Sequence, residues 1–329
     1  MRILSAADVR KALPIPAAIE AMRQAFASLS AGRVIMPKRI HIDIQRHQGI
    51  SLLMPAYIDD AVGEALALKV VSLFPGNAAC GLAMLQAVVL VLDPHTGQPM
   101  ALMEGATLTA IRTAAACGLA TDILSRPESK VLAIFGAGVQ ARAQLQAMCC
   151  VRPIETAWIY DPQPSRAETL IAELAGRDGV CADLRLAADS AEALAEADIV
   201  CTATTAVKPV FEDADLHKGA HINAIGSYQP HVSEIPPQTV VRALVVVDSR
   251  QAALDEAGDI IQPINDGLID AEHIHAELGE LVLGRKHGRK SAKQITLFKS
   301  VGVAVQEAAA ARAALMTAEQ AGLGTVVPW

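Results

Sequence analysis

A glycine-rich turn in the middle of this chain joins an apolar run to a helical run. Residues 131–138 read VLAIFGAG and residues 139–151 read VQARAQLQAMCCV. The apolar run predicts a strand buried on both faces, as in parallel sheets covered by helices. Gly136 permits a tight turn, Gly138 permits close backbone approach, and the small Ala141 permits close packing of helix on strand. We therefore predict that a nicotinamide dinucleotide binds here, with its pyrophosphate at the helix N-terminus.

Beyond the turn, short apolar strands alternate with helices. The segments TAWIYDP, CADLRLA, DIVCTATT, AHINAIG and ALVVVD read as strands, and SRAETLIAELAG and SAEALAEAD read as helices. Buried strands separated by helices of about ten residues indicate a doubly wound parallel sheet. After Asp248 the pattern predicts helical stretches, ending in a long Ala-rich helix over VAVQEAAAARAALMTAEQAGLG.

The N-terminal part has a different pattern of predicted helices and strands. Residues 4–32 have apolar positions at helical spacing and predict one helix, which Ser5 caps and which stops near Gly32. Residues 38–100 contain β-rich runs such as RIHIDI, with strict alternation, and residues 106–124 predict a long helix that Pro127 closes. The fold class is therefore α/β, with a Rossmann doubly wound parallel sheet plus a second α+β domain.

Composition limits the partners of this 329-residue chain, which is long enough for two ordinary domains. The formal net charge is −7 at pH 7 and no basic cluster breaks the mixture. We therefore expect neither nucleic acid nor an anionic membrane surface as a partner. No apolar run approaches the roughly 18 residues that a membrane span needs.

The cysteines and histidines predict location and metal content. The six cysteines show no CxxC spacing, which fits small buried thiols in a reducing cytoplasm. The nine histidines are scattered, so we assign no metal site. We expect a cytoplasmic protein.

Two residues after the second Rossmann strand bear on the choice of dinucleotide. Asp161 follows the first glycine by 25 positions, where a carboxylate accepts hydrogen bonds from the 2′-hydroxyl of NADH and repels the 2′-phosphate of NADPH. Arg166 could instead neutralise that phosphate, and Asp161 could simply cap the turn before Pro162. The sequence favours NADH and leaves NADPH open.

Three cations in the N-terminal half suggest a site for an anion. Arg39 lies beside RIHID, Lys69 lies inside ALALKVVSLF, and Arg112 lies in the middle of AIRTAAA. A cation in an apolar element is costly to bury unless it meets an anion, and Arg grips a carboxylate with two donors. The alternative is three separate surface charges with buried stems.

Several segments resemble the ornithine cyclodeaminase/mu-crystallin family: KVVSLFPGN (69–77), LDPHTGQPMALMEG through TAIRTAAA (92–116), FGAGVQARAQ (135–144) and KSVGVAVQE (299–307). The resemblance implies a homodimer whose substrate-binding and dimerisation domain comprises residues 1–115 and 305–329. It implies a Rossmann dinucleotide-binding domain over residues 116–304.

The resemblance also implies roles for individual residues. Lys69 and Arg112 are the expected catalytic residues, and Arg39, Met54 and Tyr228 are expected to join them in binding the substrate. The residues expected to line the dinucleotide are Thr113, Gly136, Gly138, Val139, Gln140, Asp161, Arg166, Thr202, Thr204, Gly226, Ser227 and Val301.

One departure from the family pattern indicates the reaction. Members that cyclise ornithine carry a catalytic Asp after the fifth Rossmann strand, and alignment on Pro230 and Glu234 puts Tyr228 at that position. The segment GSYQPHVSEIP resembles instead the branch that reduces cyclic ketimines. This implies reduction of Δ1-pyrroline-2-carboxylate or Δ1-piperideine-2-carboxylate to L-proline or L-pipecolate. The alternatives are an ornithine or lysine cyclodeaminase, an alanine-dehydrogenase-type reductive amination, and a low-turnover crystallin-like binding protein.

Overall fold

The computed structural model describes residues 1–328, which form two compact units. Unit 1 contains Met1–Arg112 and the segment that begins at Val303, and unit 2 contains Thr113–Gly302. The strands are β1 Arg2–Leu4, β2 Val34–Ile35, β3 Ile40–Ile44, β4 Gly49–Asp60, β5 Gly63–Leu73, β6 Leu85–Leu92, β7 Pro99–Glu104, β8 Val131–Phe135, β9 Thr156–Tyr160, β10 Asp183–Leu186, β11 Ile199–Thr202, β12 His221–Ala224, β13 Leu244–Val247, β14 Ile274–Glu277, β15 Thr296–Lys299 and β16 Thr325–Val326. The helices are α1 Ala6–Ala12, α2 Ile15–Ser30, α3 Gly105–Leu124, α4 Val139–Val151, α5 Pro164–Leu174, α6 Ser190–Leu194, α7 Pro237–Arg242, α8 Arg250–Glu256, α9 Gly258–Asn265, α10 Leu278–Val282 and α11 Ala304–Gln320.

Unit 1 is built on an eight-stranded mixed sheet. Its order is β16-β1-β7-β6-β5-β4-β2, with β3 paired to β4. Burial alternates along β5, so that Ala65, Ala67, Lys69 and Val71 share the buried face. Helix α11 packs on β4 and β5 and also contacts α2. Its alanines let it approach this face closely, so the core of unit 1 lies between the sheet and α11.

The prediction of one helix over residues 4–32 is wrong. The segment forms β1, α1 and α2, with α1 ending at Ala12 and α2 beginning at Ile15. Pro14 explains the break because it lacks an N–H and disfavours helical backbone at the preceding residue, Leu13. The predicted cap is confirmed, since the Ser5 hydroxyl accepts a hydrogen bond from the Asp8 amide and the Asp8 carboxylate accepts from the Ser5 amide.

Unit 2 is a parallel sheet in the order β10-β9-β8-β11-β12-β15-β13-β14. The chain runs outward from β8 to β9 and β10, then returns to β11 and continues in the opposite direction. Such a reversal leaves a crevice at the carboxyl ends of β8 and β11, where dinucleotides bind in doubly wound folds. The predicted fold class is therefore confirmed.

Two strands of unit 2 were missed in the sequence. The stretch after Asp248 was expected to be helical, but β14 and β15 lie within it. Strands β14 (IHAE) and β15 (TLFK) lack both the continuous apolar run of β13 (LVVV) and a long alternating pattern, so their neighbours in the sheet decide their structure. Strand β15 sits between β12 and β13, and its last residue is Lys299.

The helix predicted over residues 106–124 is confirmed as α3, Gly105–Leu124. It is apolar on all sides and almost entirely buried, as expected of a core helix. The boundary between the two units falls within it, after Arg112. Within residues 1–328, no helix combines the length and the apolar character needed to cross a bilayer.

Candidate active site

Three buried charged side chains meet in unit 1. Oε1 of Glu307 accepts hydrogen bonds from Nζ of Lys69 at 2.5 Å and from Nε of Arg112 at 2.7 Å. The three residues are 1%, 3% and 5% exposed, respectively. Two of the three cations singled out in the sequence are thus brought together in the interior, and they share a carboxylate that sequence reasoning did not identify.

Each member of this cluster is positioned by a different element. Lys69 points to the core because it occupies the buried register of β5, directly opposite the buried Met54 on β4. Arg112 projects from the buried helix α3. Glu307 lies in the first turn of α11, where the helix dipole favours a negative charge.

The three charges shift one another's protonation. The pKa of Lys69 is lowered to about 8. Burial is the main cause and the charges of Arg112 and Arg39 add to it, whereas the charge of Glu307 raises the pKa. Burial opposes ionisation of Glu307, but the charges and hydrogen bonds of Arg112 and Lys69 hold the pKa of Glu307 below its ordinary value. Lys69 is therefore mostly protonated at pH 7 and can lose its proton slightly above that pH.

The cluster carries two positive charges and one negative charge, so it is one anion short of neutrality. Nη1 of Arg112 donates to Oε1 of Gln306 at 3.0 Å, and Nε donates to Glu307. Within residues 1–328, Nη2 of Arg112 donates to no acceptor. Arg39, half-buried just before β3, is near enough for its charge to act on Lys69. This arrangement can bind a small carboxylate.

The glycine-rich turn of unit 2 has the geometry of a phosphate cradle. Gly136 has φ +94°, and a Cβ at that position would lie 2.6 Å from the carbonyl oxygen of Ala203. Gly138 caps α4, and a Cβ there would meet no atom within 4 Å, so the space above the helix N-terminus is open. Oδ2 of Asp161 accepts a hydrogen bond from the Ala137 amide at 2.9 Å, and this fixes the turn to the end of β9.

The other residues expected near the dinucleotide are scattered around this turn or elsewhere in unit 2. Val139 is exposed and Gln140 is half-buried in the first turn of α4, and Arg166 is exposed on α5. Thr113 is buried on α3. The Val301 amide donates to Oδ2 of Asp248 at 3.0 Å, just after β15.

Four of the expected dinucleotide residues converge on Glu234. Its carboxylate accepts from the Thr202 hydroxyl, from the amide and hydroxyl of Thr204, and from the amides of Gly226 and Ser227, at 2.6–3.2 Å. Burial raises the pKa of Glu234, although the Lys299 charge opposes this. Sequence reasoning used Glu234 only to align the segment and missed that it ties the loops after β11 and β12 together.

A second buried carboxylate fixes the loop that carries Tyr228. Oδ1 of Asp259 accepts from the Ser233 hydroxyl and from the Glu234 amide, and Oδ2 lies 2.8 Å from Nζ of Lys299. Lys299 also donates to the Ser227 carbonyl at 2.5 Å. Tyr228 itself is exposed. The loop backbone is therefore anchored on both sides of an accessible tyrosine.

The parallel sheet, its reversal at β8 and β11 and the open glycine turn define a Rossmann-fold protein, and its other unit carries a buried cationic cluster. Comparison with known proteins supports this class of fold. The family model for the ornithine cyclodeaminase/mu-crystallin family matches residues 1–321. The chain belongs to this family, which confirms the resemblance noted in the sequence.

Three relatives show where in the family the chain lies. It is 39% identical over 325 residues to a Δ1-pyrroline-2-carboxylate reductase of Bacillus cereus, covering 98% of each chain. A Thermococcus litoralis Δ1-pyrroline-2-carboxylate reductase, solved in complex with NADH and L-proline, is 44% identical with TM-score 0.94, covering 99% of this chain and 100% of that one. An archaeal alanine dehydrogenase dimer with bound NAD is 31% identical with TM-score 0.92, covering 100% of this chain and 99% of that one.

Proposed function

We propose that this chain is an NAD(P)H-dependent imine reductase. Its substrates are cyclic ketimine carboxylates, Δ1-pyrroline-2-carboxylate or Δ1-piperideine-2-carboxylate, and its products are L-proline or L-pipecolate. The Bacillus and Thermococcus relatives, alike over nearly the whole chain, are named for the five-membered ketimine. The one structural observation that carries the proposal is the buried cluster of Lys69, Arg112 and Glu307.

The surplus positive charge of the cluster accounts for the carboxylate. Two buried cations balanced by one carboxylate keep a net charge that a second carboxylate neutralises, and burial strengthens this attraction. Nη2 of Arg112 supplies a donor for it, and Arg39 adds a further charge. In this proposal Arg112 and Arg39 bind the substrate carboxylate, and Met54 forms part of the apolar wall beside Lys69.

Lys69 supplies the proton that the reaction needs. Reduction of a C=N bond adds a hydride to carbon and a proton to nitrogen, and a protonated imine is the better hydride acceptor. A group with a pKa of about 8 is mostly protonated near neutrality and can still release its proton, which suits a general acid. Fixing the carboxylate beside Lys69 makes the proton transfer effectively intramolecular.

The residues of unit 2 fit a nicotinamide dinucleotide. The amides at the N-terminus of α4 and the open space at Gly138 suit a pyrophosphate, and Asp161 suits a ribose hydroxyl. When reduced and bound, this cofactor supplies the hydride. The remaining expected contacts are Thr113, Gly136, Val139, Gln140, Thr202, Thr204, Gly226, Ser227 and Val301. The hydroxyls of Thr202, Thr204 and Ser227 donate inside the protein, so we propose that these residues shape the site and do not donate hydroxyl hydrogen bonds to the dinucleotide.

NADH is the preferred cofactor in this proposal. The Asp161 carboxylate is held by the amides of Ala137 and Gln163, so its negative charge stays at the end of β9. A fixed anion there repels a 2′-phosphate. Arg166 is exposed on α5 and is the residue that would favour NADPH instead.

Tyr228 separates this proposal from cyclodeamination. A cyclodeaminase starts from a saturated amino acid and needs a base for its amine. A phenol, with an ordinary pKa near 10, is a poor base at neutral pH. Imine reduction needs no such base, and Tyr228 can contact the substrate as a hydrogen-bond donor.

We also propose a cytoplasmic homodimer. Ile40 and Ile42 are exposed on the same face of β3, and this apolar pair is suited to burial against a second copy. The archaeal alanine dehydrogenase neighbour is a dimer. Light scattering should give twice the subunit mass of 34.5 kDa, and a particle of 34.5 kDa would contradict this part of the proposal.

Substrate profiling tests the function. The purified protein is mixed with NADH or NADPH and with each cyclic ketimine, and loss of reduced cofactor is followed by absorbance. Pyruvate with ammonia tests alanine-dehydrogenase chemistry, and L-ornithine or L-lysine with NAD⁺ tests cyclodeamination by ammonia release. We expect rapid oxidation with ketimines alone. Turnover only with pyruvate or ornithine, or binding of NADH without turnover, contradicts the proposal.

A further inference from the structure

We propose that Glu307 is a positioning residue for imine reduction: one of its oxygens fixes the Lys69 ammonium against the Arg112 guanidinium and keeps the proton on Lys69. The inference rests on the proposed roles of Lys69 and Arg112. It assigns a task to a side chain that touches both of them.

The geometry places both cations on a single atom. Oε1 of Glu307 lies 2.5 Å from Nζ of Lys69 and 2.7 Å from Nε of Arg112. Two buried cations this close repel each other strongly, and a shared carboxylate offsets the repulsion. A substrate carboxylate bound by Arg112 is thereby held at a fixed distance from the proton of Lys69.

The position of Glu307 is set by the start of α11. The neighbouring side chain, Gln306, accepts through Oε1 from the Val303 amide at 2.8 Å and from Nη1 of Arg112 at 3.0 Å. The same helix turn therefore orients two nitrogens of the guanidinium group, Nε and Nη1. The segment QE at 306–307 acts as a two-residue clamp on Arg112.

The charge of Glu307 determines whether Lys69 is protonated. Burial and the charges of Arg112 and Arg39 all lower the pKa of Lys69, whereas the charge and hydrogen bond of Glu307 raise it. Without the carboxylate charge, burial and the charges of Arg112 and Arg39 favour neutral lysine, and only a hydrogen bond to a neutral acceptor opposes them. A neutral Lys69 has no proton to give to the imine nitrogen at ordinary pH.

Glu307→Gln isolates this charge. Oε2 of Glu307 accepts no hydrogen bond from any residue in 1–328, so an amide NH2 can occupy its place while the amide oxygen keeps both contacts of Oε1. Glu307→Asp keeps the charge on a shorter side chain. The matched control is Asp60→Asn, which weakens the half-buried ion pair between Asp60 and Arg312, a residue of α11, and touches none of the three residues.

The experiment compares the pH dependence of kcat/KM for Δ1-pyrroline-2-carboxylate across these variants and the wild type, with folding checked by thermal unfolding. Titration of the substrate is common to all four proteins, so differences report the enzyme. For Glu307→Gln we expect the decline at high pH to begin at least about one unit lower, as removal of a neighbouring charge requires. KM should change little, because the positive charge that attracts the substrate carboxylate remains. Asp60→Asn should lose stability without moving the profile.

A Glu307→Gln protein with the wild-type profile and a uniformly lowered rate overturns the inference, since this is the behaviour of a purely structural residue. If Glu307→Gln does not fold, Glu307→Asp decides: the decline should move in the same direction by a smaller amount, and an unmoved decline overturns the inference. An active wild type with unmoved variants contradicts only the role of Glu307. A wild type that does not reduce ketimines contradicts the proposed function and this inference together.

Discussion

Nζ of Lys69 lies 2.5 Å from Oε1 of Glu307, although 238 residues separate the two in the chain. One residue comes from the middle of β5 and the other from the first turn of α11, so unit 1 is completed only when the C-terminal helix packs on the N-terminal sheet. The Glu307 carboxylate therefore has two effects on Lys69. It offsets the cost of burying the lysine charge, and it favours the protonated form of this proposed proton donor.

The first prediction concerns the pH dependence of the wild-type enzyme. A proton donor acts in its protonated form, so kcat/KM should be retained below the Lys69 pKa of about 8 and decline above it. Lys69→Arg should abolish this decline, because guanidinium stays charged throughout, and should lower the rate by about 100-fold, the typical contribution of a general acid. Steady-state rates across pH measure both effects. A rate that rises through pH 8 would assign Lys69 the role of a base.

The second prediction concerns the substrate carboxylate. Arg112→Met removes the Nη2 donor and the positive charge proposed to bind the substrate carboxylate, which should cost several kcal/mol and raise KM for the ketimine by about 100- to 1,000-fold. The dissociation constant for NADH, measured by fluorescence titration, should change little. Arg242→Met is the matched control, since Arg242 pairs with Asp213 at the protein surface. Near-normal catalytic efficiency in Arg112→Met contradicts the assignment.

Local sequence patterns predicted much of this fold, whereas contacts between residues far apart in the chain could not be predicted from them. The strand, glycine turn and helix over residues 131–151 follow from adjacent residues, and the structure has them as expected. Strands β14 and β15 were missed because their polar and charged residues leave neither a continuous apolar run nor a long alternating pattern. The sequence predicted one helix over residues 4–32 because the helical spacing of the apolar residues continues across Pro14, where the structure has a break.

The candidate site shows the same division. A lysine inside an apolar strand and an arginine inside an apolar helix are visible in the sequence. Burying either charge costs free energy unless an anion lies beside it, so both residues predict a nearby anion. Their internal partner, Glu307, lies in the first turn of an Ala-rich helix far along the chain, and no local pattern marks it as their partner. Glu234 was equally hidden, because its five donors come from the ends of two other strands.

The third prediction tests cofactor choice. Asp161→Asn keeps an acceptor for the Ala137 amide but turns an NH2 group toward the Gln163 amide and removes the charge at the end of β9. Loss of one charge-assisted hydrogen bond to the ribose should raise KM for NADH by about tenfold. KM for NADPH should fall, since the 2′-phosphate is no longer repelled. Arg166→Ala serves as the comparison: if it, rather than Asp161→Asn, changes the preference, the cofactor assignment reverses.

The fourth prediction concerns Glu234. Glu234→Gln replaces one acceptor oxygen with a donor that faces the amides of Gly226 and Ser227, at a cost of about 1–3 kcal/mol. The melting temperature should fall by about 3–10 °C. NADH affinity should weaken as well, because the loops after β11 and β12 lose their common anchor. Glu155→Gln, which removes an exposed partner of Lys130, should change neither quantity.

We expect this chain to transfer a hydride to the C2 carbon of a cyclic ketimine carboxylate and not to recycle the cofactor. NADH doubly deuterated at C4 is supplied in excess with Δ1-pyrroline-2-carboxylate, and the product is identified by mass spectrometry and chiral chromatography. We predict L-proline with one deuterium at C2, formed in equal amount to the NADH oxidised, and no ammonia from L-ornithine with NAD⁺. Proline and ammonia formed from ornithine without net change in cofactor, or no deuterated proline at all, would contradict imine reduction as the function of this chain.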